Sequence, residues 1–132
     1  MAHIVLIEDN PQTARMATRL LRDRSHDVQS FQTGEEGLLA LFSSSPDLIL
    51  MDLGLPDIDG QTVIALIRQQ PTLAGTPVIA FTAWSPDVAR NMAKAYGCDG
   101  VIAKPIDTRM FAQQVEAFLH SSPVEDSTAK AE

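Results

Sequence analysis

Glu8-Asp9, Asp52, Thr82 and Lys104 each stand where an apolar run stops: Ile4-Val5-Leu6-Ile7, Leu48-Ile49-Leu50-Met51, Val78-Ile79-Ala80-Phe81 and Val101-Ile102-Ala103. Three carboxylates, a hydroxyl and an ammonium gathered in one place would form a cation and phosphoryl site. Like charges that close together repel and raise each other's pKa, and a hard divalent cation compensates them. Magnesium suits the set, because it takes one or two carboxylates, keeps several waters and fills its remaining positions with phosphate oxygens. Lys104 can then place a positive charge on one phosphoryl oxygen while Thr82 donates a hydrogen bond to another. Asp52 is the candidate nucleophile, and its product would be an aspartyl phosphate.

These residues meet only if the four runs are parallel strands of one sheet. In open α/β sheets, sites form outside the carboxyl ends of the strands, where the strand order reverses. Five apolar segments, near 3–8, 27–31, 47–52, 77–82 and 99–103, alternate with helical patterns near 11–24, 34–44, 60–70, 86–96 and 107–120. That alternation predicts a doubly covered parallel sheet. Asp27-Val-Gln-Ser-Phe31 alternates in polarity and reads as an edge strand, whereas the continuous runs read as central.

Helix starts carry the expected chemistry. Asn10-Pro11 and Ser85-Pro86 each offer a capping side chain followed by a proline whose missing N–H is not needed in the first turn, and Thr33 to Glu36 is spaced as a capping box. Gly97 stands where a left-handed helix cap is wanted. Ala17, Leu20 and Leu21, then Val63, Ile64 and Ile67, then Phe111, Val115, Phe118 and Leu119, fall at helical spacing as core faces. In Asp57-Ile58-Asp59-Gly60, Pro56 precedes the first aspartate and a loop separates it from the strand, so a loop ending at a helix start is expected rather than a DxDG-type phosphatase signature.

The chain of 132 residues is 45% hydrophobic and 20% charged, which fits one globular domain. No run approaches the length of a membrane span, and no cleavable leader pattern opens the chain, so a cytoplasmic protein is expected. Cys98 is the single cysteine, which excludes an internal disulfide and a cysteine-built zinc site. The formal charge is −7, of which −5 belongs to residues 1–120. That acidity argues against direct nucleic-acid binding. His3, His26 and His120 lack metal-ligand spacing and are assigned surface or strand-end roles.

With these motifs in order, the chain resembles the receiver domains of bacterial two-component response regulators, over about residues 3 to 120. The residues that carry the resemblance are Glu8-Asp9 in LIEDN, Asp52 in DLILMDLGLPDIDG, Thr82 in PVIAFTA and Lys104-Pro105 in VIAKP. It implies a flavodoxin-like (βα)5 three-layer sandwich with a five-stranded parallel sheet of order 2-1-3-4-5, as a receiver domain over 1–120 and a flexible tail over 121–132. It implies magnesium on Asp9, Asp52 and the backbone carbonyl of Gly54, with Glu8 acting through water or outer contacts, and a cis Lys104-Pro105 bond. The family's switch position three before the lysine, usually aromatic, is here Val101, which has no ring to swing. By the same resemblance, Trp84 and Gly54 occupy positions that the family uses to tune the lifetime of the phosphoryl group.

The function that follows is signalling rather than metabolic catalysis. A stand-alone response regulator would accept phosphate on Asp52 from a histidine kinase or histidine phosphotransfer protein and then contact a downstream protein target, as a monomer or a phosphorylation-dependent dimer. A phosphorelay shuttle or phosphate sink, favoured by Val101, is the alternative; a metal-dependent phosphatase lacks a general acid and a cap domain. Arg15, Arg19 and Arg22 form one stripe at i, i+4 and i+7 of the first helix, a face suited to an acidic patch on the phosphodonor.

Overall fold

The computed structural model describes residues 1–119. His120 and the tail assigned to 121–132 lie outside the described residues. Five parallel strands, β1 (His3–Ile7), β2 (Asp27–Phe31), β3 (Leu48–Met51), β4 (Val78–Thr82) and β5 (Gly100–Ala103), form one sheet of order β2-β1-β3-β4-β5. Between and after them run α1 (Pro11–Arg22), α2 (Gly34–Leu41), α3 (Gly60–Gln69), α4 (Pro86–Tyr96) and α5 (Phe111–Leu119). The expected flavodoxin-like architecture and strand order are both present.

Strand character follows the sequence pattern. Every residue of β3 and β4 is buried, as strands covered on both faces must be, whereas β2 at the edge keeps only Val28 buried. The sheet divides two apolar cores. Val5, Ile7, Ile49 and Met51 pack with α2 and α3 residues such as Leu38, Val63 and Ile67 on one face. Ile4, Leu6, Leu48, Leu50, Ile79 and Phe81 pack with Ala17, Leu21, Phe111 and Val115 of α1 and α5 on the other.

Helix ends match local chemistry with instructive exceptions. Asn10 accepts from the N–H groups of Gln12 and Thr13, Thr33 accepts from Glu36, and Asp59 accepts from Thr62. Gly97 ends α4 at φ 90°, a left-handed conformation that glycine adopts without a Cβ clash. Ser85 precedes Pro86 as expected, but its side chain makes no capping bond. α2 ends at Leu41 rather than near 44, and α5 begins at Phe111 rather than 107. The Asp107 carboxylate accepts from the N–H of Arg109, and its carbonyl from Met110 and Phe111, so a local turn forms before the helix. A short 3-10 turn, Pro71–Leu73, was not foreseen. α2 approaches β1 closely because Gly37 lacks a Cβ, which would sit 2.5 Å from the Ile7 side chain.

Candidate functional site

β1 and β3 are hydrogen-bonded neighbours with Ile7 opposite Met51, so the residues that follow them emerge side by side. Glu8, Asp9 and Asp52 accordingly bring one carboxylate oxygen each to within 4.8 Å of one another. β4 pairs with β3, and β5 with β4 through Thr82 opposite Ala103, which carries Thr82 and Lys104 to the same edge. All five side chains expected at this edge are there.

Their environments differ. Glu8 is fully buried and Asp52 nearly so, while Asp9 is exposed. The Lys104 ammonium donates to Glu8 Oε1 at 2.6 Å and to Asp52 Oδ2 at 3.2 Å, and lies 5.0 Å from the centre of the Phe81 ring. Glu8 Oε2 accepts from the Asn10 N–H at 2.9 Å, and Asp52 Oδ1 from the Gly54 N–H at 2.8 Å. Burial pushes the Glu8 carboxyl above the ordinary carboxylate range, against the pull of Lys104 and the Asn10 N–H and with a further push from Asp52. Burial lowers the Lys104 pKa, but Glu8 and Asp52 outweigh it and hold the ammonium above its ordinary value.

This donor set fits a hard cation. Three carboxylate groups against one ammonium leave the cluster electronegative, and Asp9 is open to solvent for ligand exchange. Lys104 holds part of the charge meanwhile. Thr82 is buried, and its Oγ1 accepts from the Trp84 N–H at 3.1 Å, which leaves the hydroxyl proton free to donate elsewhere. The Lys104-Pro105 bond is cis, as expected.

The other residues singled out are dispersed as follows. Trp84 is partly exposed beside Thr82, and Val101 is half-buried, packed against the core that also takes Tyr96 and Cys98. Burial first, then Asp99, raises the Cys98 thiol to about 11, consistent with a packing role. Arg15, Arg19 and Arg22 are exposed along α1, but Arg22 donates to the Val28 carbonyl at 2.9 Å and is partly engaged by β2. His3 sits against Asp27, and His26 is held between the Ala2 N–H and Glu116 at the opposite end of the sheet.

One contact near the site was missed in the sequence. Asp57, in the loop after Asp52, accepts from the N–H groups of Gly34 and Glu35 at 3.0 Å, capping α2 from outside; these bonds hold its carboxyl below the usual range. Its neighbour Asp59 caps α3. The Asp-Ile-Asp-Gly stretch is thus a double helix cap, and nothing in its local spacing distinguishes which helix Asp57 serves.

A family model for the response regulator receiver domain matches residues 4–116. Response regulator ArlR of Staphylococcus saprophyticus is 35% identical over 123 residues, which are 93% of this chain and 54% of that protein. ArlR of Staphylococcus aureus is 33% identical over 126 residues, 96% of this chain and 56% of that protein. The chain spans about half the length of the curated relatives it matches. Among solved structures, the receiver domain of a Pseudomonas aeruginosa sensor histidine kinase, with a magnesium ion coordinated in its active site cleft, superposes with TM-score 0.82 at 28% identity and covers 91% of this chain and 98% of its own. Chemotaxis response regulator CheY4 of Vibrio cholerae has TM-score 0.83 at 22% identity, covering 89% and 98%, a likeness of fold. Among the described residues, no helix is long and apolar enough to cross a membrane.

Proposed function

Because the chain belongs to the response regulator receiver domain family, we propose that Asp52 accepts a phosphoryl group from a phosphohistidine on a histidine kinase or histidine phosphotransfer protein. A carboxylate oxygen of Asp52 attacks phosphorus as the P–N bond breaks and its electron pair returns to the imidazole. The new acyl phosphate is later hydrolysed, releasing inorganic phosphate. The observation that carries this reading is the convergence of Glu8, Asp9, Asp52, Thr82 and Lys104 on one sheet edge.

Each residue has a distinct task. Asp9, Asp52 and the Gly54 carbonyl would hold magnesium, and Glu8 would act through water and through Lys104. Bound there, magnesium supplies positive charge to a phosphoryl oxygen, and the ion in the similar Pseudomonas aeruginosa receiver supports this assignment. Lys104, already within 3.2 Å of Asp52, neutralises a second oxygen. Thr82 donates its hydroxyl proton to a third. Trp84 covers one approach to the acyl phosphate and slows attack by water.

The finer reading is a stand-alone cytoplasmic regulator whose output is protein contact rather than DNA binding. The acidity of residues 1–120, −5, supports protein contact over DNA binding as the output of these residues. A phosphorelay shuttle is supported by one specific observation, the half-buried Val101, which cannot relay phosphorylation by rotating a ring. Pull-down from a lysate with and without beryllofluoride and magnesium separates the two. A partner retained only in the beryllofluoride state, and lost with Asp52→Asn, supports the regulator; identical partners in both states favour the shuttle.

A further inference from the structure

Along the outer side of β2 runs a cleft of about 1190 Å³ between that edge strand and α1, lined by Arg15, Arg19, Arg22, Ser30, Gln32 and Glu36 among others. It lies beside the site described above rather than within it. Two independent observations point to an occupant.

The first is charge. In an acidic chain, Arg24, Arg68, Arg90 and Lys104 each pair with a carboxylate. Arg15 and Arg19, like Arg22, Lys94 and Arg109, make no salt bridge among the described residues, and of these only Arg15, Arg19 and Arg22 line this cleft. Glu36 is the one acid on its wall.

The second is backbone. The Asp27 N–H donates to the Ala2 carbonyl, and the Phe31 carbonyl accepts from Glu8, so Asp27, Gln29 and Phe31 serve β1. Alternation along a parallel ladder then turns Val28 and Ser30 outward. Val28 is buried and its carbonyl is taken by Arg22, but Ser30 is exposed, and among the described residues its N–H and C=O have no partner beside the cleft. An edge of this kind is a template for one more strand.

We propose that the α1–β2 cleft binds an extended acidic segment of a partner protein, which pairs with Ser30 as a short sixth strand and sets alternate carboxylates against Arg15 and Arg19. The spacings agree. Alternate side chains on one face of a strand recur about every 6.7 Å, and residues four apart on a helix recur about every 6 Å along its axis. Arg22, bonded to Val28, marks the end of the open edge. The inference goes beyond the reading that this arginine face receives the phosphodonor, and commits only to the acidic extended segment that the cleft accepts.

The test is amide NMR and hydrogen exchange on the full chain, titrated with a capped hexapeptide of alternating Glu and Val and with a Lys/Val control. The expected result is saturable, salt-sensitive binding of the acidic peptide alone. The Ser30 amide should shift and exchange at least several-fold more slowly, and Arg15→Glu with Arg19→Glu should abolish binding. Ser30→Pro, which removes the outward N–H and leaves the β1 ladder intact, should also lose the peptide. Binding that depends on the arginines but leaves Ser30 exchange unchanged would overturn strand addition while sparing the docking reading. Absence of saturable binding would overturn the inference, and the docking reading would still be judged separately by phosphotransfer in the Arg19→Glu variant.

Discussion

Replacing Lys104 with Met should destabilise the protein far more than an ordinary lysine substitution would. Glu8 is fully buried, and Lys104 Nζ lies 2.6 Å from its Oε1. At an effective dielectric near 20, that separation corresponds to about 6 kcal/mol of attraction. Desolvation offsets part of it, and removing one partner of a buried pair costs about 3–5 kcal/mol. With urea slopes of about 1–3 kcal/mol/M, the unfolding midpoint at pH 7 should fall by about 1–5 M. The pH dependence has a definite sign. Burial already raises the Glu8 pKa, and loss of the ammonium raises it further, so the folded variant binds a proton that the unfolded chain does not. The stability this contributes is present below the ordinary carboxylate value and lost as pH rises through the elevated one. Acidification from pH 7 should therefore narrow the gap to wild type, and adding Glu8→Gln should recover most of the loss at neutral pH. Urea unfolding followed by circular dichroism at pH 7 and pH 5 measures both effects. A Lys104→Met midpoint equal to wild type at pH 7 would refute the buried-pair argument.

Three further outcomes are expected. Trp84→Ala should hasten loss of the phosphoryl group several-fold, measured by the decay of phosphorylated protein; an unchanged rate would remove Trp84 from the shielding role. Arg19→Glu should slow phosphotransfer from a protein donor about tenfold while sparing acetyl phosphate, because a surface charge that steers a partner acts on association; equal effects on both donors would contradict docking at α1. Asp57→Ala should weaken the start of α2 by about 1 kcal/mol, the usual scale for a lost helix cap. In wild type, the Asp57 contribution should fade as pH drops through its lowered pKa, and amide exchange at Gly34 and Glu35 reports it.

The fold was legible because its determinants are local or periodic. Leu48–Met51 reads as a buried strand from four consecutive apolar residues, and β2 reads as an edge from its alternation. Asn10-Pro11 and Gly97 mark helix ends through their own backbone preferences. The α5 start failed because Asp107 bonds its own neighbours, a choice that helical periodicity does not encode. The candidate site residues were legible as strand ends, but their pairing was not. Lys104 and Glu8 are separated by 96 residues, and Asp57 reaches α2 across 23; such contacts depend on how the strands pair and the helices pack on them. Arg22 shows the same limit, since its place in the stripe on α1 gives no sign that β2 engages it.

The central claim is that Asp52 is the phosphoacceptor of a magnesium-dependent site. Intact-mass spectrometry after incubation with acetyl phosphate and magnesium tests it directly. Wild type should gain one phosphoryl group, lose that gain when magnesium is chelated beforehand, and show none in Asp52→Asn. Equal modification of wild type and Asp52→Asn, or of neither, would contradict the account.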